Sequence, residues 1–263
     1  MLNMKNSLLN FSHFVDSKSL ETARTTKDGE FNLEPGAIAK FFLSIILLLT
    51  IAHAIAIYLI FNFPDSNRVV SLMDKYFNFN NESNFPSFIS AVNLLIAAGL
   101  LFFIASFSVT EKLKKNKKFW RLLGCIFLFL CFDEATQIHE ELVLTVRNRM
   151  PNLSGIFYYA WVIPYSVLFL GVVVYFMRFV LALPAKTRNL FFISGFLFVF
   201  GAIGCELVEG YIEKFYGRNL IYNLFTTVEE FLEMVSIVIF IYALLDYITL
   251  YKSKFTLLIK HKS

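Results

Sequence analysis

Long apolar runs recur along most of this chain. Runs of about 20 mostly apolar residues lie between positions 41 and 250, and a helix of that length crosses the hydrocarbon core of a bilayer. The sequence therefore predicts an all-α fold, a polytopic membrane helix bundle.

The runs predict about six transmembrane helices. Only 17% of the 263 residues are charged, whereas soluble domains carry roughly 25%. Pro164 falls inside the fourth span and is expected to kink it. The approximate spans are 41–61, 88–109, 119–143, 156–181, 190–211 and 221–250.

Three regions are expected from this pattern. A polar N-terminal segment covers 1–36, the six-helix transmembrane domain covers 37–251, and a basic tail covers 252–263. The net charge of +4 is mild and the basic residues lie in loops, so nucleic-acid binding is not indicated. The lipid bilayer is the expected partner.

Basic residues in the short loops orient the predicted bundle. Lys and Arg concentrate at 112–121, at 178–188 and at 252–262, which fall on one side of a six-span bundle. Cytoplasmic loops carry an excess of Lys and Arg, so both termini are expected in the cytoplasm of a bacterial-type plasma membrane. Four basic residues oppose this bias from the other side: Arg147, Arg149, Lys214 and Arg218.

Half of the acidic residues lie in three short segments of the apolar spans. These segments are 131–142, 204–214 and 226–236. They contain ten of the twenty Asp and Glu residues, namely Asp133, Glu134, Glu140, Glu141, Glu206, Glu209, Glu213, Glu229, Glu230 and Glu233.

Helical geometry groups these side chains into three faces. At about 100° per residue, the acidic residues of the third and of the fifth span each share one sector of their helix, and Glu229 and Glu233 lie one above the other on the sixth span. At about 1.5 Å rise per residue, the three faces also reach a similar depth in the extracytoplasmic half of the bilayer. His53 and Asn93 fall at comparable depth in spans one and two. We therefore expect the faces to converge in a compact bundle.

Carboxylates at membrane depth require compensation. They cost several kcal/mol per group unless they are neutralised or hydrated, and clustered carboxylates repel one another. Bound metal cations, shared protons or a water-filled vestibule would each make the cluster tolerable. Oxygen ligands with one or two imidazoles suit a divalent Zn, Fe, Mn, Mg or Ca ion, among which the sequence does not choose.

The predicted metal ligands are Asp133, Glu134, His139, Glu140, Glu206, Glu209, Glu229, Glu233 and His53. Other acidic residues are equally compatible with ordinary charges at helix ends, namely Glu141, Glu213 and Glu230. No second His follows His139 at four residues, so the HExxH zinc motif is absent.

Three functions fit this pattern. The first is a membrane metalloprotein with a carboxylate-rich cation site, acting as a metal-dependent enzyme on a lipid or a small amphiphilic substrate. The second is a cation or proton transporter, which the almost purely apolar cytoplasmic halves of the spans disfavour. The third is a non-enzymatic cation-sensing or structural membrane subunit. Reaction, substrate and oligomeric state are not readable from these residues.

Overall fold

The computed structural model describes residues 34–63, 68–106, 111–139, 145–146, 149 and 153–250, with side chains from 116 onward in the third range. Within these ranges, every regular element is a helix. The α-helices are α1 (Pro35–Asn62), α2 (Arg68–Phe77), α3 (Phe85–Ser106), α4 (Glu111–Thr136), α5 (Val162–Leu181), α6 (Ala185–Tyr216) and α7 (Leu220–Leu250). The predicted fold class is confirmed. The predicted polar N-terminal segment and basic tail lie almost wholly outside the described residues and stay predictions.

Five of the described helices are long and apolar enough to cross a membrane: α1, α3, α5, α6 and α7. Many of their large apolar side chains are exposed, as a lipid-facing surface requires. α4 corresponds to the predicted third span, but Arg121, Asp133 and Glu134 interrupt its apolar part. It packs along α3. The chain is therefore a multi-pass helical membrane protein.

Two predicted spans differ from the observed helices. α4 ends at Thr136 because Gln137 adopts a left-handed conformation with φ of 60°; residues 138 and 139 are helical again, and 140–143 lie outside the described residues. α5 begins at Val162 instead of Ile156, after a short 3₁₀ turn. Pro164 consequently lies in the first turn of α5, where a proline removes no intrahelical hydrogen bond, so the reason for a kink disappears.

α7 is the central helix of the bundle. Its most apolar 18-residue stretch is 56% buried, and the helix contacts α1, α3 and α6. At the end of α4 opposite its acidic residues, Trp120 is almost fully buried and packs against Phe179, Phe191 and Tyr247. This apolar cluster closes one end of the bundle and leaves the polar residues at the other.

A π-helical segment interrupts α6 at Phe200–Cys205, immediately before its acidic stretch. Such segments insert an extra residue into a helix and rotate the part that follows. In this segment, a Cβ atom on Gly201 would approach the backbone oxygen of Glu229 to 3.0 Å. The glycine thus permits a close approach of α6 to α7, which places their carboxylates side by side.

An asparagine-rich loop joins α2 to α3. The Asn84 side chain donates to the Asn78 carbonyl at 2.7 Å and accepts from the backbone N–H of Ser87 at 3.0 Å, as an N-cap of α3 does. Asn80 donates to the Asn223 side chain at 2.7 Å and ties the loop to α7. These contacts fix the loop at the acidic end of the bundle.

Candidate functional site

A cavity of about 440 Å³ lies at this end of the bundle. Its walls come from the C-terminal parts of α4 and α6, the N-terminal half of α7, the α2–α3 loop and the segment before α5. Nine carboxylates line it: Glu82, Asp133, Glu134, Glu206, Glu209, Glu213, Glu229, Glu230 and Glu233. We refer to it as the acidic cavity.

Most of the predicted ligands meet in this cavity. The three helix faces converge, because seven of the nine predicted residues line its wall: Asp133, Glu134, His139, Glu206, Glu209, Glu229 and Glu233. Glu140 lies outside the described residues, so its place in the site stays a prediction.

His53 is the predicted ligand that the structure keeps out of the cavity wall. Its ring is 1% exposed and stacks on Phe79, with 4.2 Å between ring centroids. Its Nε2 atom hydrogen-bonds the Thr227 hydroxyl at 2.9 Å, and its Nδ1 atom accepts from the backbone N–H of Phe79 at 3.0 Å. Both ring nitrogens are engaged in hydrogen bonds, so His53 offers no free nitrogen to a cation in the cavity.

Three carboxylates form the tightest group in the cavity. One oxygen each from Glu206, Glu209 and Glu229 lies within 4.8 Å of the others. Oxygens bound to a single cation at about 2.0–2.6 Å are at most about 5 Å apart, so the spacing suits one shared ion. α6 supplies two of these residues at helical spacing, and α7 supplies the third.

Glu209 carries an unpartnered oxygen atom within this group. The residue is 2% exposed, and its Oε2 atom accepts a hydrogen bond from the Thr226 hydroxyl at 2.8 Å. Its Oε1 atom is buried and has no hydrogen-bond partner among the described residues. An unsatisfied buried carboxylate oxygen is costly, and a cation is one group that would compensate it.

Two aromatic residues orient carboxylates of the cavity. The indole N–H of Trp161 donates to Oε1 of Glu206 at 3.0 Å. The hydroxyl of Tyr165 donates to Oδ2 of Asp133 at 3.1 Å. Both donors lie at the start of α5, so this helix contributes to the site although it carries no acidic residue.

The left-handed turn after α4 brings His139 back towards Asp133. The backbone N–H of His139 donates to Oδ1 of Asp133 at 2.9 Å, and its Nδ1 atom lies 3.4 Å from the same oxygen. Its Nε2 atom lies 4.0 Å from Oε1 of Glu82. The side chain of His139 therefore lines the acidic cavity, next to Asp133 and Glu82.

Glu213 occupies a separate corner with a positive partner. The Nε atom of Arg218 lies 3.3 Å from its Oε2 atom, and the Tyr159 hydroxyl donates to the same oxygen. Burial, together with Tyr222 and Glu213 nearby, raises the pKa of Tyr159, so this residue stays protonated and acts as a donor. Glu213 is thus compensated by groups of the protein itself.

Sequence reasoning missed several lining residues. Glu82 lies in the α2–α3 loop and shows no helical periodicity, although its position between the first two spans puts it on the same side as the acidic faces. Trp161, Tyr165, Tyr159 and Thr226 carry no charge, so nothing in their spacing distinguished them from packing residues.

The cavity has a large excess of negative groups. Among its described lining residues, Arg218 and His139 are the basic ones, against nine carboxylates. Carboxylates that share a low-dielectric site repel one another, so added positive charge or shared protons would stabilise it. The arrangement can therefore bind a divalent cation and leaves further carboxylates available as general bases.

The residues of the cavity fall in a region of the chain that a protein-family model matches. A family model described as Domain of unknown function (DUF8692) matches residues 42–248, which include every described residue of the acidic cavity. No curated protein and no solved structure shows significant similarity to the chain. Because the match covers well over half of the sequence, the chain belongs to the family described as Domain of unknown function (DUF8692).

Proposed function

We propose that this protein is an integral membrane metalloprotein that binds a divalent cation through Glu206, Glu209 and Glu229. The observation that supports this most is the convergence of their oxygens within 4.8 Å, in a cavity where one oxygen of Glu209 is buried without a partner. A cation between them would replace mutual repulsion by attraction and would satisfy that oxygen.

The donor set favours a hard cation. The three residues offer oxygen only, and oxygen ligands suit Mg²⁺, Ca²⁺ and Mn²⁺ better than they suit copper(I). His139 lines the same cavity but lies outside this group, next to Asp133 and Glu82. Glu134 and Glu233 lie in the same wall and are available as proton acceptors, which agrees with a metal-dependent enzyme acting on an amphiphilic substrate.

We also propose that the acidic cavity faces the extracytoplasmic side. Arg121, Arg178 and Lys186 lie towards the other end of their helices, as expected for cytoplasmic ends. Protection of a C-terminal epitope from an external protease in intact cells would support this orientation, and its digestion would contradict it.

Titration with Mn²⁺ tests the metal proposal. The full chain in lipid nanodiscs is mixed with Mn²⁺, and free Mn²⁺ is counted by electron paramagnetic resonance. We expect one tight site per chain in the wild type. Glu209→Gln keeps the shape of the side chain but removes its charge, so it should weaken this site at least about tenfold, or ~1.4 kcal/mol.

Glu213→Gln is the matched control. It removes one charge from the same cavity, but its partners are Arg218 and Tyr159 and not the three-carboxylate group. The control should retain Mn²⁺ binding close to that of the wild type. Equal loss in both variants would mean that the cavity attracts cations only diffusely, and a wild type without a tight site would overturn the proposal.

A further inference from the structure

A second cavity, of about 430 Å³, lies next to the acidic one between α4, α5, α6 and α7. Its lining consists almost entirely of aliphatic and aromatic side chains. Its two serines are already engaged, since Ser194 donates to the Phe191 carbonyl and Ser236 to the Glu233 carbonyl. The cavity, which we call the apolar cavity, therefore suits a hydrocarbon group and offers no polar recognition of its own.

The apolar cavity reaches the lipid-facing surface of the bundle. Phe129 on α4 and Leu168 on α5 both line it and are 43% and 59% exposed. α5 is loosely attached to the other helices. In its most apolar 18-residue stretch 17% is buried, compared with 56% in the corresponding stretch of α7. A hydrocarbon chain can thus enter from the bilayer between α4 and α5.

The two cavities share part of their walls. Five residues line both: Leu130, Trp161, Tyr165, Phe198 and Ala202. Trp161 and Tyr165 direct their polar atoms to Glu206 and Asp133 in the acidic cavity. Their rings line the apolar cavity, as expected for amphipathic aromatic side chains at a boundary between polar and apolar space.

The carboxylates of the acidic cavity determine which head group a ligand with its hydrocarbon chain in the apolar cavity can carry. If Glu206, Glu209 and Glu229 hold a divalent cation, six further carboxylates remain against Arg218 and His139. An ammonium head group would supply positive charge to these carboxylates, whereas a phosphate or carboxylate head group would add further negative charge beside them. At about 430 Å³, the apolar cavity falls within the range of about 300–1,000 Å³ typical of ligand sites.

We propose that the protein binds a single-chain amphiphile with an amine-bearing head group, whose hydrocarbon chain lies in the apolar cavity and whose head lies in the acidic cavity. This inference names the substrate class of the proposed metal site and rests on that proposal for any chemistry at the head group. The binding of the hydrocarbon chain stands on the apolar cavity alone.

Photocrosslinking in nanodiscs tests the proposal. The probe is a long-chain primary amine with a diazirine in mid-chain, and its comparison is the carboxylate of the same chain length. We expect the amine to label peptides from 123–130 and 191–203, with a yield at least about tenfold above that of the carboxylate.

Gly195→Leu is designed to block the apolar cavity. Gly195 lines it, and a Cβ atom there meets no atom within 4 Å, so the leucine can be introduced without a clash at its Cβ atom and places its larger side chain in the cavity. Gly99→Leu is the matched control, because Gly99 is an exposed helical glycine on α3 with equally free surroundings and lines neither cavity. Gly195→Leu should lower amine labelling about tenfold, and the control should not.

The outcomes separate this inference from the proposed metal site. Unchanged labelling in Gly195→Leu, or equal labelling by the carboxylate probe, would overturn the amphiphile proposal even if Mn²⁺ binding is intact. Absence of Mn²⁺ binding in the wild type would overturn the metal proposal, and blocked amine labelling in Gly195→Leu would still support the amphiphile site.

Discussion

Neutral donors of the cavity wall hold the carboxylates in position. Thr226 donates to one oxygen of Glu209 and leaves the other oxygen free for a cation. The indole N–H of Trp161 likewise donates to one oxygen of Glu206. Groups that hydrogen-bond a metal-binding carboxylate orient it, and their loss costs about 10–100-fold in metal affinity.

Thr226→Val is predicted to weaken Mn²⁺ binding by about 10–100-fold while the fold persists, because valine keeps the shape of the side chain but cannot donate to Glu209. Thr50→Val is the control, since Thr50 is a helical threonine of α1 whose hydroxyl bonds the Ile46 carbonyl away from the cavity. Titration of both variants with Mn²⁺ in nanodiscs measures the difference. Equal affinities in the two variants would show that the threonine hydroxyl has no role at the site.

The sequence alone identifies the acidic residues of the helices as candidate site residues, but it does not identify the neutral hydrogen-bond donors. Glu206 and Glu209 are charges in an otherwise apolar segment, and that cost in lipid marked them from the sequence alone. Thr226 and Trp161 are common in ordinary membrane helices and their ends, so only their contacts in the folded bundle distinguish them. Glu82 was missed for a related reason: its position in the cavity wall depends on contacts between the α2–α3 loop and distant parts of the chain.

The helices α6 and α7 form the framework of the proposed metal site. The π-helical segment rotates the second half of α6, and Gly201 lets it approach the backbone of Glu229. Within Glu206–Tyr216 the α-helical spacing is regular, which is why a simple helical projection placed its acidic residues on one face correctly. Sequence periodicity reveals neither the π-helical segment nor the end of α4 at Thr136, since both depend on tertiary packing.

Gly201→Ala is predicted to destabilise the protein by about 1–3 kcal/mol, because the added methyl group overpacks the α6–α7 contact. The same substitution at Gly99 meets no atom within 4 Å and should leave stability unchanged or raise it by about 0.4–1 kcal/mol. Thermal unfolding of both variants in detergent measures the difference. A Gly201→Ala variant as stable as Gly99→Ala would show that the helices adjust freely at this point.

The described helix bundle has a packed apolar cluster around Trp120 at one end, the acidic cavity at the other, and the apolar cavity beside the acidic one. The all-helical fold and the clustering of acidic residues followed from sequence patterns, because lipid imposes strong rules on length and charge. The shape of the cavities did not follow, since it depends on how loosely α5 is attached to its neighbours. The metal proposal concerns the acidic cavity, and the amphiphile proposal concerns both cavities.

Elemental analysis of the protein as purified tests the metal site most directly. The wild type, Glu206→Gln, Glu229→Gln and the control Glu213→Gln are purified in parallel without added metal or chelator. We predict close to one equivalent of a divalent metal in the wild type and control, and its loss in the other two variants. A metal-free wild type, or equal metal content in all four proteins, would contradict the account.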